Sequence, residues 1–73
     1  MTDMKEQIAG YVRQIDDLNR DIAEHWSMAQ KFVADNQVDK AISILNAHFR
    51  LKIKLEQVEA SLIGILKGYF SDK

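Results

Sequence analysis

The chain has 73 residues, 47% of them hydrophobic and 29% charged, with a net charge of −1, two histidines and no cysteine. A core this small rarely contributes more than a few kcal/mol without a disulfide, a metal or a second chain, and the lack of cysteine excludes disulfides, thiolate metal sites and cysteine nucleophiles. The near-neutral charge argues against a nucleic-acid partner and against a disordered tail, so a protein partner or self-association is the expected supplement.

Proline is absent and glycine occurs three times, so long helices are permitted almost everywhere. Asp3, followed three residues later by Glu6, reads as a helix start. From there Met4, Ile8, Tyr11, Ile15, Leu18, Ile22, His25, Ala29 and Phe32 recur in steps of four and three, which predicts a first helix over about 4–34 with a heptad seam on one face. Val12, Trp26 and Val33 follow a flanking stripe on the same helix.

Asp35-Asn36-Gln37 interrupts the pattern with turn-forming side chains, and Asn36 tolerates the left-handed conformation that closes a helix. Asp35 or Asn36 is a candidate cap for the helix that follows, with Asp39 in its first turn. The second helix, over about 38–70, carries its own seam at Ala41, Ile44, His48, Leu51, Leu55, Val58, Leu62, Ile65 and Tyr69. Folding the chain between Asn36 and Gln37 sets the two seams face to face in pairs whose residue numbers sum to 73, among them Leu18/Leu55, Ile22/Leu51, His25/His48, Ala29/Ile44 and Phe32/Ala41. Large meets small near the turn. Residues 1–37 carry four basic and seven acidic side chains and residues 38–73 six and four, so charge favours the same pairing, with Asp21 opposite Lys52.

The expected fold is therefore an all-α antiparallel two-helix hairpin, a helical coiled-coil hairpin forming a single domain over 1–73, which completes a four-helix bundle by homodimerisation or by binding a partner. Leu18, Ile22, Leu51 and Leu55 are its expected central layers. The seam does not use all the apolar residues. Val12, Trp26 and Val33 on the first helix, and Ile42, Leu45, Phe49, Ile63, Leu66 and Phe70 on the second, flank it and form the candidate partner-binding surface. The bland alternative is that they widen the hairpin's own core. Ala60, Gly64 and Gly68 recur every four residues on one face, with Gly10 at a similar height, and form a candidate close-approach face for another backbone.

His25 and His48 share one predicted layer. A structural polar layer, one ring donating and the other accepting, is the first reading, ahead of a pH-sensitive layer and of half a zinc site. No Glu-x-x-His motif accompanies either histidine, so no metal and no cofactor is expected. Neither a Gly-rich phosphate loop, a nucleophile elbow nor a metal-protease motif is present, and Ser27, Ser43, Ser61 and Ser71 have no base and orienting acid around them. The expected function is a non-enzymatic protein-protein interaction or assembly module that homodimerises or captures a partner helix. The alternative is a small regulator or inhibitor, or an adaptor similar to two-helix secretion chaperones, that docks as a monomer onto a larger machine. The apolar stretches Ile8 to Val12 and Leu62 to Leu66 are too short to span a membrane, and Met1-Thr2-Asp3-Met4 has the wrong chemistry for a signal sequence, so the expected setting is cytoplasmic.

Overall fold

Asp3 opens the first helix from an extended backbone, its carboxylate accepting from the Lys5 N–H at 3.4 Å and its carbonyl from the Gln7 N–H at 3.1 Å. The first contact satisfies a donor that the first turn of a helix leaves without a partner, and the second is the first bond of the helix itself. The computed structural model describes residues 3–71, which form helix α1 (Met4–Ala34) and helix α2 (Val38–Ser71) around one tight turn. Met1, Thr2, Asp72 and Lys73, which the single-domain and signal-sequence readings include, lie outside the described residues.

The turn is decided by Asn36. It alone among the described non-glycine residues has a positive φ, of 60°, a conformation that asparagine tolerates better than most side chains. The Asn36 N–H then donates to the Val33 carbonyl at 3.1 Å and the Gln37 N–H to the Phe32 carbonyl at 2.8 Å. This is the double bond pattern of a Schellman ending, which satisfies carbonyls the last turn would otherwise leave open. The cap of α2 differs from expectation. Neither Asp35 nor Asn36 fills it; the Gln37 carbonyl accepts from Lys40 and Ala41, at 3.1 and 3.2 Å, because Asp35 and Asn36 are consumed in ending α1.

The two helices pack along their length in a body of 56 × 17 × 15 Å. Every seam position is buried or half-buried except Met4 at the far end. Ala29 and Ala41, at 4% and 1% exposure, are the most hidden apolar residues. The pairing expected from the seams sets the larger Ile44 and Phe32 opposite them. Of the expected central layers only Leu18 is buried, whereas Ile22, Leu51 and Leu55 are half-buried; the remaining buried residues are His48 and Val58. Two helices cover one another from one side only, so a seam of long side chains keeps an open flank.

The register is carried by contacts across the gap. His48 Nδ1 lies 3.1 Å from the Ile22 carbonyl oxygen, the Trp26 and His48 rings are 5.8 Å apart, and Lys40 Nζ sits 5.9 Å from the centre of the Phe32 ring. Each contact joins residues within one helical turn of the pairing about Asn36 and Gln37, whereas a slide of one heptad would displace them by seven positions. Charge does not clamp this arrangement. Arg20 pairs with Asp16 at 3.4 Å and with Asp17 at 3.5 Å on its own helix, and among the described residues no ion pair joins α1 to α2, so the expected Asp21–Lys52 pair does not form. An exposed pair worth at most about 1 kcal/mol does not overcome the entropy of fixing two long side chains. Neither helix is long and apolar enough to cross a membrane.

Candidate functional site

The side of the hairpin that carries Trp26 gathers most of the apolar surface left over from the seam. On α1, Val12, Trp26 and Val33 are exposed; on α2, Ile42, Phe49, Ile63 and Phe70 are exposed, while Leu45 and Leu66 are half-buried. The structure brings the two stripes together near the turn. A shallow concavity of about 240 Å³ is lined by Trp26, Ala29, Gln30, Val33 and Leu45, and a second, next to it, by Asn19, Ile22, Ala23, Trp26, His48, Phe49 and Lys52. Trp26 thus forms the wall between two depressions on one groove. Ile63, Leu66 and Phe70 form a separate depression, with Lys67 and Ser71, at the other end of α2.

His48 anchors the turn-proximal half. It is buried, at 4% exposure, and its ring lies 5.8 Å from that of Trp26 and 5.7 Å from that of Phe49. A carbonyl oxygen has no proton to give, so the bond to Ile22 requires Nδ1–H to donate, which assigns the tautomer of the neutral ring and leaves Nε2 as its acceptor. The expected exchange between two imidazoles is replaced by this bond. His25 is half-buried, its Nδ1 is buried without a hydrogen-bond partner, and no bond joins it to His48. The carbonyl wins because a helix carbonyl projects towards the C-terminal end of its helix, which carries the Ile22 oxygen up to the level at which His48 crosses α1.

As metal candidates His25 and His48 gain no third ligand, because no group of three or more His, Asp or Glu side chains is gathered among the described residues. The hydroxyls of Ser43, Ser61 and Ser71 donate to carbonyls one turn back, at Asp39, Gln57 and Gly68, and so serve the helix that carries them.

Ala60, Gly64 and Gly68 all lie exposed, and a methyl group added at Gly10, Gly64 or Gly68 would meet nothing within 4 Å. Among the described residues, then, no backbone makes the close approach that these glycines permit. Sequence reasoning passed over three further exposed apolar residues, Met28, Val38 and Ile53. Val38 continues the Trp26-side stripe at the first residue of α2, where the break in periodicity hid it; Ile53 follows Phe49 by four residues at the outer edge of that stripe, and Met28 lies off it. No known protein family, curated protein or solved structure matches the chain.

Proposed function

We propose that the chain is a non-enzymatic assembly module whose Trp26-bearing face packs against helices of another protein molecule. One observation carries this reading: Trp26, Phe49, Ile42 and Ile63 remain more than half exposed, along one side of a hairpin whose own core, among the described residues, buries only Leu18, Ala29, Ala41, Val58 and His48. Exposed apolar surface gathered on one side in this way marks an interface in a folded protein. Aromatic side chains supply most of the energy at such interfaces, and Trp26 and Phe49, both close to the buried His48 ring, are ready anchors. The cysteine-free composition is the support for a cytoplasmic setting.

The test is face-specific cross-linking in the cell of origin. A photoreactive phenylalanine analogue placed at Phe49 should give an adduct of discrete mass. The same probe at Arg13, exposed and outside both stripes, should give none. Equal labelling from both positions, or no adduct from Phe49, would remove the interface reading.

A further inference from the structure

We infer that the occupant of this face is a second copy of the chain, docked antiparallel about a two-fold axis beside Glu56, so that α2 packs on α2 of the other copy; this rests on the interface reading above. The first support is periodic. Each seam residue of α2 is followed by one of a second series, Ile42, Leu45 and Phe49 towards the turn and Ile63, Leu66 and Phe70 towards the far end, with Lys52, Glu56 and Glu59 between them. One residue turns a helix by about 100°. The second series therefore faces roughly a right angle away from α1, which is where a four-helix bundle places the other neighbour of a helix.

The second support is self-complementarity. Turning the series end over end about Glu56 sets Ile42 against Phe70 of the second copy, Leu45 against Leu66, Phe49 against Ile63, and Lys52 against Glu59. Apolar meets apolar in every outer layer and opposite charges meet in the inner one. Lys52 and Glu59 are exposed and make no ion pair among the described residues, so both are available. The same axis acts on α1, where it sets Trp26 against Ala9, Val12 against Ala23 and Asp16 against Asn19, again large on small and polar on polar. Only Glu56 meets its own copy.

The third support is area. The hairpin exposes 5659 Å², whereas a compact monomer of its mass, 8.4 kDa, exposes about 4,600 Å². The excess, about 1,000 Å², exceeds the roughly 800 Å² that each partner buries in a standard stable interface.

Sedimentation equilibrium on the full chain and on charge-reversed variants tests the pairing, with helicity by circular dichroism as the control for folding. The native chain should be a dimer. Lys52→Glu and Glu59→Lys should each weaken it on the order of tenfold or more by setting like charges together, and an equimolar mixture of the two should restore the dimer, because each mixed layer then holds one acid and one base. Glu56→Gln, which removes the one like-charge contact at the axis, should tighten it on the order of tenfold, a gain that misfolding cannot imitate. A native chain that stays monomeric at every accessible concentration overturns self-association and leaves the interface reading standing for a different protein. A dimer that neither reversal weakens, or that mixing does not restore, overturns the antiparallel pairing about Glu56.

Discussion

The imidazole of His48 is held by a carbonyl that does not depend on it. Ile22 lies inside α1, where its oxygen also accepts the helix bond from the Trp26 N–H four residues on, so removing the ring leaves that oxygen satisfied. The cost of a lost hydrogen bond comes mainly from the partner left without one. His48→Leu, which keeps the volume and loses the donor, should therefore change stability by no more than about 1 kcal/mol. His48→Ala, which opens a cavity beside Trp26 and Phe49, should cost about 2–4 kcal/mol. Urea unfolding of both variants at neutral pH measures the difference; equal losses would mean that the bond, and not the volume, is what His48 supplies. The sequence predicts a layer shared by the two histidines, but the hydrogen bond that holds His48 was not legible in it. Heptad positions say which side chains share a level and nothing about which backbone oxygen projects into it.

At the level of the elements, both helices were legible because the chain has no proline, little glycine and an uninterrupted three-four alternation on either side of one break. The turn is the place where a single residue decides the geometry. Asn36 holds a φ of 60° so that two backbone N–H groups can reach back to Val33 and Phe32. Glycine adopts that conformation freely and a β-branched residue does not. Asn36→Gly should leave stability within about 0.5 kcal/mol of the native chain, while Asn36→Val should cost about 1–2 kcal/mol. Paired urea titrations check this, and a valine variant as stable as the glycine one would show that the turn readily adopts another form. What the sequence misassigned here was the cap of α2. With Asp35 and Asn36 both engaged in closing α1, the first carbonyl free to start α2 belongs to Gln37.

For the whole molecule, the decisive quantity is the ratio of core to surface. The radius of gyration is 16.6 Å, against about 11 Å for a compact domain of this length, and among the described residues no large side chain is fully buried. A hairpin of this shape is stabilised by whatever covers its open side, and binding that favours the folded form makes the melting temperature depend on concentration. Thermal unfolding followed by circular dichroism over about two decades of chain concentration should show the midpoint rising with concentration. A midpoint that stays fixed would mean that the hairpin holds its fold alone.

The sequence by itself determined the two helices, the break between them and the pairing of their seams, because helical periodicity and turn chemistry are local properties and a seam of fixed length admits few registers. Tertiary structure decided the rest. It showed that the rings of Trp26 and Phe49 lie close to a buried His48, that Lys52 and Asp21 stay apart, and that Gly64 and Gly68 face open space. These outcomes depend on where α2 sits in three dimensions beside α1, on the direction in which helix carbonyls project and on how much of each flank one neighbouring helix can cover, none of which is written in the order of the residues along either helix alone.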